Sequence, residues 1–364
     1  MQIKDITNYL ESLAPLSSQE SYDNAGLICG QPQTEITNTL ISLDCTEEII
    51  EEAIKRNCNL VISHHPIVFR GLKSLTGKNY VERTIIKAIK NDIAIYAIHT
   101  NLDNYLKGVN YKIANLLGIK QPRILAPSNN TLNKLNVYVP LSHKDEVMNA
   151  LFNAGAGQIG NYSECSFTAK GTGSFKPNEK ANPYVGKIDE RHYENEVKVE
   201  VLLSSHQKNK IVKAMLDAHP YEEVAYDIYP LLNTNQYEGA GMIGELPQAV
   251  DSLYFLQQLK DTFKCGVIKH TELCKSKIKT VAWCGGSGSF LLKQAKQQKA
   301  DVFITGDFKY HEFFDAENQI IIADIGHFES EQYTIDLIAE LLSENFINFA
   351  PCLTDINTNP VKYF

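Results

Sequence analysis

The stretch "NTLISLDCTEEIIEEAIKRNCNLVISHH" (residues 38–65) decides the fold. "NTLISLD" is an apolar run of strand length. "CTEEIIEEAIKRN" follows with helical spacing: Thr46 suits an N-cap, Glu47 and Glu48 suit the positive helix end, and Ile49, Ile50, Ala53 and Ile54 form one face. "CNLVISHH" is a second strand that ends in two histidines and Pro66. Strand, helix and strand joined by short links imply a parallel pair with a right-handed crossover.

Working outward, "YVERTIIKAIKND" predicts another helix, "IAIYAIHTNLD" a strand running into a polar loop, and "GVNYKIANLLGI" a helix ending near Gly118. From about residue 233 the alternation resumes, with strands at "KTVAWCGG", "DVFITGD" and "QIIIADIGH". Helices are expected at "SLYFLQQLKDTF", "SFLLKQAKQQKA", "YHEFFDAEN" and, last and longest, "ESEQYTIDLIAELLSEN". Residues 129–232 read differently, as β-α-β-β-α-β, the order of a ferredoxin-like split βαβ domain. A polar segment, "KPNEKANPYVGKIDERHYEN", links its central strands. The expectation is an α/β protein in which 1–128 and 233–364 form two α/β halves, interrupted by an α+β domain over 129–232.

The 364 residues carry 43% hydrophobic and 21% charged side chains, enough for packed cores in more than one domain. A net charge of −8 argues against a nucleic-acid partner held by bulk charge. "MQIKDITNYLESLAP" lacks the apolar stretch of a signal peptide, and no run is long enough to span a bilayer. The eight cysteines form no CxxC pair and read as buried thiols in a reducing compartment. A cytoplasmic protein is the expectation.

The polar residues that stand out share one position. His64 and His65 end one strand, Asp103 lies just past another, Asp307 past a third, and His327 and Glu331 past a fourth. In open α/β sheets the carboxyl rim is where ligands bind. His327 and Glu331, at i and i+4, share a helix face, either as a surface pair or as a half-site for Zn²⁺, Mn²⁺ or Fe²⁺. Neighbours on a strand point apart, so once Pro66 breaks the strand, His64 and His65 can each serve a different ion of a pair roughly 3.5 Å apart. Asp103 is a candidate bridge. His99 is either a ligand or a hydrogen-bond partner of one. Asp307, Lys309 and His311 are candidates for moving protons or holding phosphate. Gly285, Gly286, Ser287 and Gly288, in "CGGSGS", have the makings of an anion nest of backbone N–H groups, or are glycine-rich, as many strand-to-helix turns are, for steric reasons alone.

At these residues the chain resembles the NIF-three-like family, also known as type 2 GTP cyclohydrolase I homologues. The resemblance rests on "YDNAGLICG" (22–30), "SHHPIVFRGLKSL" (63–75), "AIHTNLDNYLKGVN" (97–110), "VAWCGGSGS" (281–289), "ADVFITGDFKYHE" (300–312) and "DIGHFESE" (324–331). Tyr22 stands where the family often has Trp, and Lys107 where it often has Gly. "AHPYEEVAYDIYPL" (218–231) resembles the PII/CutA-like domain inserted in longer bacterial members.

The resemblance implies two divalent ions per subunit, zinc foremost, on His64, His65, Asp103, His327 and Glu331. It also implies a toroidal homohexamer with the inserted domains capping its openings. The activity it implies is a metal-dependent hydrolase that opens the guanine ring of GTP and releases formate. Two other readings stay open: a two-metal phosphoester hydrolase, and a metal-binding regulatory protein that senses ligands through its PII-like domain. Association with nucleic acid is disfavoured by the acidic balance.

Overall fold

Three short strands, Thr39–Ser42, Leu60–Ser63 and Ala94–Ala97, are buried at every residue and pair in parallel. Strands covered on both faces need continuous apolar runs, which is what these segments supply. The helices between them start on side-chain caps. The Ile49 N–H donates to the Thr46 hydroxyl at 3.4 Å, and the Glu82 N–H donates to Asn79 at 2.9 Å. The first helix, Glu47–Lys55, buries Ile49, Ile50, Glu52 and Ala53. Ile54, expected on that face, is exposed. Glu52 takes a buried place instead because it binds Arg56, Thr354 and Asp355.

The computed structural model describes residues 1–364. The chain divides into two compact units, one made of 1–127 and 236–364, the other of 128–235. In the larger unit the first sheet has the order Gly26–Cys29, Ala94–Ala97, Leu60–Ser63, Thr39–Ser42, Cys352–Leu353. Only Gly26–Cys29 runs antiparallel to its neighbour. The second sheet has the order Lys269–His270, Ile321–Asp324, Val302–Gly306, Lys277–Ser287, Asn235–Asp251, Lys120–Ser128, with its three central strands parallel. One hydrophobic cluster joins the two sheets, with Ile41, Ile62 and Tyr96 from the first and Val281, Trp283 and Ile304 from the second. The fully buried Trp283 donates its indole N–H to the Asn110 carbonyl at 2.8 Å, which tethers the halves.

Lys120–Ser128 and Asn235–Asp251 are strands, in segments whose prolines and glycines gave no strand signal in the sequence. Two helix expectations change. "YHEFFDAEN" forms a 3-10 helix, Tyr310–Ala316. The long last helix is two, His327–Glu331 and Thr334–Asn345, and the chain then adds an edge strand.

The smaller unit is a four-stranded antiparallel sheet in the order Ser166–Phe175, His192–Ser204, Leu132–Pro140, Tyr226–Pro230, with helices Lys144–Asn153 and Lys208–Ala218. Val137, Val199, Leu151 and Ile211 are among its core residues. No helix of the chain is long and apolar enough to cross a membrane.

Candidate metal centre

The parallel strands of both sheets deliver polar side chains to one place. Past Leu60–Ser63, the His64 and His65 N–H groups still donate to the Ser42 and Leu43 carbonyls, at 3.2 and 2.9 Å. Past Ala94–Ala97 come His99 and the short helix Thr100–Asp103. Past Ile321–Asp324, Gly326 turns the chain with φ +96° into the helix that carries His327 and Glu331. That conformation favours glycine, and a Cβ there would also sit 2.2 Å from Glu329 Oε2, so that side chain would have to shift. Asp307 follows Val302–Gly306 with φ +60°, a left-handed conformation that Asp tolerates.

Three overlapping groups of ligand atoms converge there, each within 4.8 Å: His65, His327 and Glu331; His64, Asp103 and Glu331; and His64, His65 and His99. His64 Nδ1 lies 2.8 Å from the Ile98 carbonyl, which can only accept, so Nδ1 carries the proton and Nε2 keeps its lone pair. That Nε2 is 3.6 Å from Asp103 Oδ1 and 3.8 Å from Glu331 Oε1. Neither His64 Nε2 nor Asp103 Oδ1 has a hydrogen-bond partner, and both atoms are buried. On the other side, His65 and His327 donate from Nδ1 to Asp44 at 2.8 Å and Asp307 at 2.6 Å. Their Nε2 atoms stand 3.3 Å apart, at 2.9 and 3.1 Å from Glu331 Oε2. Glu331 therefore offers one oxygen to each group, the position first considered for Asp103.

The electrostatics fit a cation at the centre. Burial and the neighbouring Glu331 push the Asp103 carboxyl well above its usual range. Burial opposes ionisation of Glu331 too, yet His327, His64 and His65 hold it well below. Burial also works against charge on the imidazoles. Asp44 and Glu331 nevertheless raise His65 to about 9, and Glu331 and Asp307 raise His327 to about 11, while burial lowers His64. Imidazoles oriented by carboxylates, a shared Glu and two orphaned buried atoms form a donor set suited to divalent transition metals.

The orienting groups Asp44 and Asp23 were missed in the sequence. Asp44 closes the strand "NTLISLD", and the rim rule would have found it. It also accepts the Thr358 hydroxyl at 2.5 Å, from a segment with no periodic signal. Asp23 accepts from His99 Nδ1 at 2.7 Å, and from the N–H and hydroxyl of Thr100. Asn110 holds the Asp103 carbonyl at 3.2 Å and the Gly285 N–H at 3.0 Å.

The fold does not bring Lys309 or His311 to this cluster. Both are exposed, and neither lines the cavity of about 1020 Å³ that opens over it. The glycine-rich turn is no free anion nest either. The N–H groups of Gly285, Gly286 and Gly288 donate to Asn110 Oδ1, Ser330 Oγ and Thr305 Oγ1. Their role is spacing: a Cβ on Gly286, at φ +63°, would lie 2.3 Å from Glu331 Oε1.

A family model described as DUF34/NIF3 (NGG1p interacting factor 3) matches residues 1–360. The chain belongs to the DUF34/NIF3 family. It is 39% identical over 98% of both chains to a Halalkalibacterium halodurans protein named GTP cyclohydrolase 1 type 2 homolog. It is 36% identical, over the full length of both, to a Staphylococcus aureus protein of the same name. Among solved DUF34/NIF3 relatives, a Bacillus cereus protein related to NIF3 superposes with a TM-score of 0.87 at 36% identity, covering 100% of this chain and 99% of that one.

Proposed function

We propose that this DUF34/NIF3 member is a hydrolase dependent on two divalent metal ions, acting on a nitrogen heterocycle of the kind its relatives' name points to. The observation that carries the reading is the pair of ligand groups sharing Glu331, with two buried donor atoms left unpartnered. His64, Asp103 and Glu331 would hold one ion, and His65, His327 and Glu331 the other. Such ions supply Lewis acidity and an acidified water at neutral pH.

The chain's own residues do the rest. Asp44 and Asp307 fix the His65 and His327 rings with Nε2 inward. Asp23 holds His99 in the same way, so that its Nε2 takes up or delivers the proton moved when the ring opens. In the reaction for which the relatives are named, the guanine imidazole ring opens and its carbon leaves as formate. Zinc is the metal of first choice for this mixed imidazole and carboxylate set. Formate release by zinc-, manganese- and iron-loaded protein tests the reading. Absence of turnover with all three, on guanine nucleotides, nucleosides and the free base, overturns it.

The smaller unit has the strand order of a ferredoxin-like split βαβ fold, which supports reading it as a PII/CutA-like capping domain, and a toroidal homohexamer is part of the proposal. Light scattering of the purified protein tests that assembly.

A further inference from the structure

The cavity over the ligand cluster has a wall of one dominant sign. Seven carboxylates line it: Asp103 and Glu331 in the cluster, and Glu20, Asp44, Asp307, Asp324 and Glu329 around it. Lys269 is the only lysine or arginine among the lining residues, and its ammonium already meets Asp324 at 2.5 Å. Two divalent ions still leave the wall net negative. The basic side chains and glycine N–H groups expected to hold phosphate are engaged or elsewhere. Lys309 and His311 are exposed outside the cavity, and the turn's glycine N–H groups are taken by side chains. A polyphosphate chain would bring more negative charge to a site with no free cationic side chain to meet it. Charges of like sign in such a setting repel at short range.

The same cavity is rich in aromatic rings. Tyr22, Phe69, Tyr80, Phe290 and Tyr363 line it, and Tyr22, Tyr80 and Phe290 keep 60% or more of their surface open. Phe69 stands edge-on to His99 with centroids 5.6 Å apart, so the aromatic wall reaches the ligand cluster. Open ring faces favour planar, π-bearing ligands.

Resting on the reading of this site as a metal-dependent hydrolase, we propose that its substrate is a planar nitrogen heterocycle, as the base or nucleoside, presented without a polyphosphate chain. The aromatic wall selects the ring, and the carboxylates exclude the triphosphate.

Equilibrium dialysis of zinc-loaded protein against guanosine, adenosine, GTP and inorganic triphosphate tests this, with zinc measured on the recovered protein. At low ionic strength at least one nucleoside should bind about tenfold more tightly than GTP, with the gap narrowing as salt screens the repulsion. Inorganic triphosphate should not compete. Tyr22→Leu and Phe290→Leu, both at exposed positions, should each weaken nucleoside binding several-fold with zinc retained. GTP binding as tightly as either nucleoside, or competition by triphosphate, overturns the exclusion. Failure of both nucleosides to bind, or unchanged affinity in both variants, overturns the heterocycle assignment. Loss of zinc from the wild-type protein in dialysis buffer would instead count against the metal reading beneath it.

Discussion

His64 Nε2 and Asp103 Oδ1 face each other across 3.6 Å, buried, with no hydrogen bond to either. An imidazole lone pair and a carboxylate oxygen both seek a positive partner, and leaving buried polar atoms unmet costs about 1–3 kcal/mol each. A shared cation removes that penalty. Zinc should therefore raise the midpoint of thermal unfolding, by an amount equivalent to about 2.7 kcal/mol at a free-ion concentration one hundred times Kd. His64→Ala should remove much of that gain and lower zinc content measured by elemental analysis. An unfolding midpoint indifferent to zinc and chelator would refute it.

Asp44 is the brace behind His65, and Thr358 is the brace behind Asp44. Removing a carboxylate that orients a ligating imidazole lowers metal affinity about 10–100-fold. Asp44→Asn should fall in that range by competitive chelator titration, and Thr358→Val should show a smaller loss of the same sign. Equal and negligible effects would mean that the brace does not act on the ion.

Without metal, His65 titrates at about 9 and His327 at about 11, so both imidazoles carry protons at neutral pH. Metal binding must expel those protons, and zinc affinity should rise steeply from pH 6.5 to 8.5. Calorimetry in buffers of different ionisation enthalpy should detect the release. For folding the sign is opposite. Both pKa values lie above the unfolded value near 6.5, so the metal-free fold gains fully below that pH and loses His65's contribution as pH rises through about 9. A pH-independent affinity would contradict the tautomers and charges described.

Asp23 accepts hydrogen bonds from His99 and from both donors of Thr100. Although burial opposes ionisation, these partners pull its pKa down to about 2. The carboxylate's stabilisation is present above about pH 4 and lost as pH falls through about 2. Asp23→Ala should destabilise the protein by roughly 2–3 kcal/mol in urea unfolding, since it leaves the His99 and Thr100 donors without their carboxylate acceptor. A variant within experimental error of wild type would show these bonds to be replaceable by water.

Gly286→Ala should displace Glu331, because the added carbon would fall 2.3 Å from Oε1 at a residue already in the left-handed region. Zinc occupancy should drop although no ligand has been changed. Full occupancy in a folded variant would mean that the turn yields more readily than its contacts indicate.

How much was legible follows from what each residue needs. The parallel strands could be read because burial on both faces demands unbroken apolar runs. Lys120–Ser128 and Asn235–Asp251 could not, since Pro122, Pro127, Gly239, Gly241 and Pro247 are signals of turns and become strand residues only through tertiary pairing. His64, His65, Asp103, His327 and Glu331 could be singled out because strand ends in open sheets gather at one rim. Lys309 and His311 follow such an end too, but the facing of the 3-10 helix after Asp307 depends on packing that periodicity does not encode. Thr358 was out of reach, lying in an irregular segment 314 residues from its partner.

The ligands of this centre are far apart in time as well as in sequence. His65 meets Glu331 across 266 residues. At translation rates of about 5–20 residues per second, roughly 13–53 s separate the synthesis of the two. A ribosome-bound chain exposes two histidines long before their glutamate exists, so the complete donor set is never presented to an early nascent chain. On the two-metal reading proposed above, ions would be acquired by a nearly finished polypeptide, and the cell's free-metal level at that late moment, rather than during elongation, would set which ion is taken.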